Sequence, residues 1–585
     1  MKFTVLSLVL VALTSSIFAQ TPYIETFEVR LHNLDVVVTD AKGKPVRGLT
    51  KDDFLVTENG APQQITNFSI YDTLAATASS VPAAADSSAD ANVAVQSAPS
   101  APPPRRIVFF IDDLSVQKMA RNRLYANVKS FVDAMRPGDV AAVVRPTSQG
   151  KIVQEFTGDH AAIEAALKQA IDESSVKSLG TKAEVAALRW QLKIAGSPLA
   201  IRQAKREYAD AAARRVEHRL GQVRALTSSL AGVEGKKIVV LVTMGLSAKP
   251  GSEAWDFAET LGAIRQPQLN FNFGVNVDRP EVPEEIPPAD DPERTYAPVV
   301  HDLTRIINEI AQSAAANGVT IYALEPDVPL DLLVRGNASI PGKLNGDHVG
   351  ADPAMELPSS FQTDILQNAE VTLASLTETT GGRWFRGISS IDDTFRQVSE
   401  DVSFYYSLAY RANGDVDQAR RVKVSVRNRP ELKVRTRTDV LAKSTGREMS
   451  DLVVASLLYP REVNELGIKV TPGTPAKERG WYTVPFDVVI PLRNLTFLLD
   501  EAGKKYVAAF DLHYAATGEE RDFGNGGKHH QTIEISPEQY ANVANTTYRY
   551  KTGIQVSPGR ARIAIGVLDT TTRLTGFETV EVLAQ

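Results

Sequence analysis

The chain has 585 residues, 43% of them hydrophobic, a formal net charge of −6 and no cysteine. At about 150 residues per domain this length exceeds one core and suggests about three or four. The mild acidity provides no basic excess for nucleic acid or anionic lipid, and the lack of cysteine excludes disulfides and thiol lipidation.

In chain order, Lys2, the apolar run Val5 to Leu13 and the small residues Ser15, Ser16 and Ala19 read as a secretory signal cut after Ala19. The run is too short to span a bilayer, which takes about 20 apolar residues, and no later stretch qualifies. The expectation is an exported protein, periplasmic or extracellular, with no integral membrane segment after cleavage. Residues 22–72 read as about four β-strands, with Asn59-Gly60 marking a hairpin. They are too few to close a core alone. Residues 73–104, rich in Ala, Ser and Pro, read as a linker.

From residue 105 strands alternate with helical patterns, which predicts a doubly wound α/β domain over 105–402. The unalternating run Ile107–Ile111 suits a strand buried on both faces, and Asp112 and Asp113 follow it at the edge where open α/β sheets bind ligands. A helix is expected near 118–135, a strand at 140–144, a helix at 160–172, a strand at 237–243, a helix at 302–316 and a strand at 319–324. Residues 183–230 read as two helices broken mainly at Gly196-Ser197-Pro198, a solvated extension of a crossover helix, with a partner-binding arm as the alternative. The loops 279–300 and 327–360 are expected to line the ligand edge. A last helix, Val371 to Thr379, ends at Gly381-Gly382, and Trp384-Phe385 begins a short edge strand. Residues 403–440 give three antiparallel strands, which with 22–72 would complete one β-sandwich into which the α/β domain is inserted. Residues 451–585 lack a comparable helical period and read as a second, C-terminal β-sandwich.

Several phrases occur together in a recognisable order: Leu49-Thr50-Lys51-Asp52-Asp53-Phe54, Glu58-Asn59-Gly60, the strand ending at Asp112, Leu376 to Gly382, and Ser403-Phe404-Tyr405-Tyr406-Ser407-Leu408. In these the chain resembles the von Willebrand factor A-related proteins exported by acidobacteria, over roughly residues 22–440. The resemblance implies an A-type domain with a divalent-cation site built from Asp-x-Ser-x-Ser, a Thr and an Asp on three loops. Mg²⁺ takes near-octahedral oxygen ligands, and an open position admits a partner's carboxylate.

The chain departs from that pattern. With Asp112 as first ligand, Leu114 and Val116 stand where serines belong; with Asp113, Ser115 matches and Gln117 replaces the second serine. Thr181 fits the second loop, and Met244 occupies the third-loop acid position, with Asp256 a substitute only if its loop folds back. A thioether does not hold Mg²⁺ usefully. The expected metal set of Asp112, Asp113, Ser115 and Thr181 is therefore degenerate, with no resident cofactor and at most weak Mg²⁺ or Mn²⁺ binding. These four residues and Met244 are expected to share one loop shell.

Catalytic readings are poorer. Gly245-Leu246-Ser247-Ala248 follows a strand like a nucleophile elbow but lacks its final glycine. His529-His530 reads as an exposed turn, and adjacent residues on a strand would face opposite ways in any case. The sequence thus predicts a non-enzymatic protein-binding or adhesion module, with an envelope scaffold carried by the β-sandwiches as the alternative.

Overall fold

The computed structural model describes residues 30–72, 104–112, 128–129, 131–145, 151–173, 187–188, 190–191, 198–243, 246–254, 301–325, 359–385, 391–412, 415–459, 461–500, 503–518 and 525–585. The signal-like segment 1–19, the loop 279–300 and nearly all of 73–104 and 327–360 lie outside them. Among the described residues no helix is long and apolar enough to cross a membrane.

Chain segments on either side of the α/β region pair strand by strand. β1 (Leu31–Thr39), β2 (Phe54–Glu58), β3 (Ala61–Gln63) and β4 (Ile65–Asp72) come before that region. β11 (Phe404–Arg411), β12 (Ala419–Val426), β13 (Lys433–Arg435) and β14 (Asp439–Leu441) come after it. They form two four-stranded sheets, ordered β13-β1-β11-β4 and β14-β12-β2-β3. Each mixes early and late strands, and one apolar core, including Leu34, Val36, Phe54, Tyr406, Leu408 and Val424, serves both. Phe54 and Tyr406 have ring centroids 5.2 Å apart.

The sequence phrases that carry the resemblance are mostly structural here. Asp53 accepts hydrogen bonds from the backbone and hydroxyl of Thr50, closing a capping box. Asn59 and Gly60 both take positive φ, as a tight hairpin turn requires. The Tyr406 hydroxyl accepts from the Leu49 amide at 3.2 Å and donates to the Val46 carbonyl at 2.8 Å, so one buried side chain ties β11 to the loop before β2. Gly381, at φ +79°, ends a helix, and a Cβ on Gly382 would lie 1.9 Å from the Ile321 carbonyl oxygen, so the helix-to-strand joint requires glycine.

Between these halves lies a six-stranded sheet of β5 (Arg105–Ile111), β6 (Val140–Arg145), β7 (Lys151–Thr157), β8 (Lys236–Val242), β9 (Val319–Leu324) and β10 (Trp384–Phe385). Its order is β10-β9-β8-β5-β6-β7, parallel except that β7 runs antiparallel to β6. No strand is expected from the sequence between 145 and 160; β7 alternates too weakly to announce itself. Ile107, Phe109 and Ile111 join a core on one face, and Val108 and Phe110 a second core on the other, which is why β5 shows no polar alternation.

Six helices of eight or more residues flank these units among the described residues: α1 (His160–Glu173), α2 (Pro198–Ser229), α3 (Thr304–Ala316), α4 (Ser359–Thr380), α5 (Ile391–Ser403) and α6 (Thr445–Ser456). Four differ from the sequence reading. α2 is not a solvated extension: Val216, Leu220, Val223 and Leu226 pack onto the sheet as an i, i+3/i+4 stripe. α4 is a longer helix than 371–379, and α5 follows it where no helix was expected. α6 runs through residue 451 and inserts Ala455 into the α/β core while Met449, Val453 and Leu457 pack on the C-terminal strands, so it joins two units.

The C-terminal unit holds β15 (Lys469–Pro472), β16 (Ala476–Glu478), β17 (Trp481–Pro491), β18 (Leu498–Leu499), β19 (Tyr506–Thr517), β20 (Asn525–Ile535), β21 (Thr547–Val556), β22 (Gly559–Asp569) and β23 (Thr575–Ala584) in two sheets. Alternating residues from both, among them Val484, Phe486, Phe510, Leu512 and Ile563, share one core. His529 and His530 lie on β20, not in a turn. They part as strand neighbours do: His529 stacks on Tyr514, and His530 contacts the Asp511 carboxylate at 2.7 Å.

Candidate functional site

Counted along the chain from the β7 edge, the six strands are ordered 3-2-1-4-5-6, so the direction of winding reverses between β5 and β8. Ligands of such sheets bind outside the carboxyl ends of the strands at this reversal. Asp112 follows β5 and Thr243 follows β8, one residue beyond each strand. Their backbones are fixed by the same ladder: the Asp112 amide donates to the Val242 carbonyl at 2.8 Å and the Thr243 amide to the Leu324 carbonyl at 3.1 Å.

One oxygen of the Asp112 carboxylate is committed. Its Oδ2 accepts from the Thr243 hydroxyl at 2.6 Å and from Arg219 Nη1 at 3.0 Å. The Asp112 side chain is 1% exposed and that of Arg219 11%, so the ion pair is largely shielded from solvent. Breaking such a pair from one side costs about 3–5 kcal/mol, because it strands a buried charge.

Arg219 arrives from α2, whose 32 residues rise about 48 Å, roughly twice the length of the seven-residue β8. The helix therefore runs past the carboxyl edge, and its amino-terminal half builds a second polar group there. The Tyr208 hydroxyl donates to Glu253 Oε1 at 2.8 Å, and His301 Nε2 lies 2.7 Å from Asp210 Oδ1. Burial raises the pKa of the Glu253 carboxyl. Burial, with Arg219 nearby, lowers that of Arg215 to about 10. Gly251, at φ +85°, lets residues 246–254 lie against α2: a Cβ there would sit 2.4 Å from the Ala209 Cα.

Of the sequence-predicted site, Asp112 is where the reading puts it; Asp113, Ser115, Thr181 and Met244 lie outside the described residues. The described part does not suit a divalent cation. A guanidinium 3.0 Å from the carboxylate repels a second cation, and among the described residues no three His, Asp or Glu side chains group as metal ligands. Ser247 is half-buried, and its hydroxyl has no hydrogen-bond partner among the described residues.

Arg219 and Thr243 were missed. Thr243 closes an apolar strand and carries no motif. Arg219 did leave a signal: it falls within the stripe Val216, Leu220, Val223, where a charged residue needs a buried partner.

Comparison with protein-family models gives no match, and comparison with curated proteins gives none. Among solved structures, the chain is similar to the von Willebrand domain of the type V pili tip protein Mfa5 from Porphyromonas gingivalis, at 13% identity and a TM-score of 0.23, covering 54% of this chain and 99% of that one. It is similar to a von Willebrand factor type A protein from Catenulispora acidiphila, at 11% identity and a TM-score of 0.21, covering 83% and 67%. It is also similar to an aerotolerance-related membrane protein from Bacteroides fragilis, at 12% identity and a TM-score of 0.20, covering 51% and 98%. At TM-scores this low the likenesses carry no weight for fold or function, which rest on the strand order and the side chains described above.

Proposed function

We propose that the chain is an exported, non-catalytic protein-binding or adhesion module of von Willebrand factor A-like type. In this reading the α/β domain is inserted into a first β-sandwich and followed by a second, and residues 1–19 are removed on export. The carboxyl edge of the sheet engages a protein partner without a bridging metal. The observation that supports it is the Asp112, Thr243 and Arg219 cluster at the point where the winding reverses: a ligand edge whose carboxylate is already balanced by a fixed internal cation.

A scaffold reading has its own support in the C-terminal unit, where Trp481, Leu498, Leu499 and Leu583 are large apolar side chains left 44–56% exposed. Photo-crosslinking separates the two. A crosslinker replacing exposed Lys249, beside the carboxyl edge, is expected to capture an envelope or host-surface protein, whereas one replacing exposed Lys551 on β21 is not. Capture from position 551 alone transfers the function to the C-terminal strands.

A further inference from the structure

The opposite end of the same sheet lines a half-open cavity of about 450 Å³ between the start of β8, the end of α3 and strands β1 and β11. Four cationic side chains line it, Lys236, Lys237, Arg437 and Lys443, against one carboxylate, Asp35. Three of the cations are accounted for. Lys236 Nζ lies 3.2 Å from Asp35 and 3.4 Å above the Tyr405 ring. Lys443 pairs with Asp451 at 2.7 Å. Arg437 donates to the carbonyls of Ala315 and Ala316 at the carboxyl end of α3, and to that of Asn33 on β1.

Lys237 has no ion-pair or hydrogen-bond partner among the described residues, although it points into the same space. A Cβ built on Gly318 would lie 3.3 Å from Arg437 Nη1 and 4.0 Å from Lys237 Nζ, so the two cationic heads flank one point on the cavity wall. We propose that this cavity binds a small tetrahedral oxyanion of the phosphate and sulfate class, held chiefly by Lys237 and Arg437.

A bound anion would offset the repulsion between these two heads. The Lys237 and Arg437 heads repel each other, offset in part by Asp451 and Asp35, and a multivalent anion offers each a charge-assisted hydrogen bond. In the free protein, burial, reinforced by Lys443 and Arg437, pulls the Lys237 ammonium down to about 7. The surrounding groups come from both structural halves: Asp35, Tyr71 and Tyr405 from the first β unit, Lys236, Lys237 and Asn317 from the α/β domain. An anion there fastens one to the other. The site stands apart from the carboxyl edge and does not depend on what that edge binds.

Isothermal titration of the full chain at pH 8 with sodium sulfate, sodium phosphate and glycerol 3-phosphate, at constant ionic strength, tests this. Sulfate takes up no proton at that pH, so repeating its titration in buffers of different ionisation enthalpy reads proton uptake by the protein alone. Expected are saturable one-to-one sulfate binding with proton uptake, affinity about tenfold or more lower in Lys237→Met, and no change in the surface control Lys551→Met. Lys237→Arg should keep the affinity and lose the proton uptake, which answers the question even if the methionine variant folds poorly. Glycerol 3-phosphate binding as tightly as phosphate assigns the terminal group of a phosphoester, and its exclusion assigns a free anion; either supports the site. No saturable heat at millimolar anion, or equal affinity in wild type and Lys237→Met, overturns it.

Discussion

The two ends of the six-stranded sheet are built from the same parallel strands and do opposite things with charge. At the carboxyl end one buried carboxylate, Asp112, meets one guanidinium, Arg219, and one hydroxyl, Thr243. At the amino end four cations crowd a cavity that offers one carboxylate. The difference comes from what crosses each end. The carboxyl end is crossed by a helix longer than the sheet, which carries its own counter-charge to the site. The amino end abuts the first β unit, and cations from both sides meet there. Charge is settled inside the chain where a partner is proposed to dock, and left unsettled where two structural units join.

The largest effect should come from breaking the balance at the carboxyl end. Arg219→Ala is expected to cost about 3–5 kcal/mol in urea unfolding, whereas the double variant Asp112→Leu with Arg219→Met should recover most of it, since removing both charges strands neither. A loss under about 1 kcal/mol in the single variant would mean that the pair is not the balanced unit described. Next in size is a steric change near the amino end: Gly382→Ala should cost about 3 kcal/mol, because its methyl must displace the backbone of β9 at Ile321. Unchanged stability there would show that the joint between α4 and the sheet yields.

A third effect, small per pH unit but spread over several units, is on pH dependence at the amino end. The Lys237 pKa is lowered from 10.5 to about 7 by burial and by the neighbouring Lys443 and Arg437. Between those values the unfolded chain binds a proton that the folded chain has given up, so stability rises with pH across about 7 to 10.5 and is lost as pH falls through 7. The slope from one group cannot exceed about 1.4 kcal/mol per pH unit. Lys237→Met should flatten it in anion-free buffer, and an unaltered slope would relieve Lys237 of that role.

Much of the strand pattern is legible in the sequence because burial writes itself into local periodicity: β5, β8 and β9 as apolar runs, β12 and β17 as alternations. Elements held mainly by tertiary contact are not. β7 is a half-buried edge strand; α5 does carry a helical stripe, Ile391, Phe395, Val398 and Val402 at i, i+4, i+7 and i+11, which the sequence reading passed over, and it packs Val398 and Val402 on the core. Asp112 was legible because it ends an apolar run at a predictable edge. Arg219 was not, because its partner lies 107 residues away. Nor was the amino-end cavity: Lys236-Lys237 reads as an ordinary solvated start to a strand, and only the folded chain brings Arg437 and Lys443 to it.

In the proposed module Arg219, and not a bound cation, balances Asp112. Calorimetric titration of Mg²⁺ and Mn²⁺ into chelator-treated full chain, paired with melting curves with and without chelator, tests it directly. With Arg219 in that role, no saturable binding is expected below millimolar metal and no shift in melting temperature on chelation. Saturable micromolar binding, with a melting temperature that falls on chelation and returns on adding metal, would contradict it.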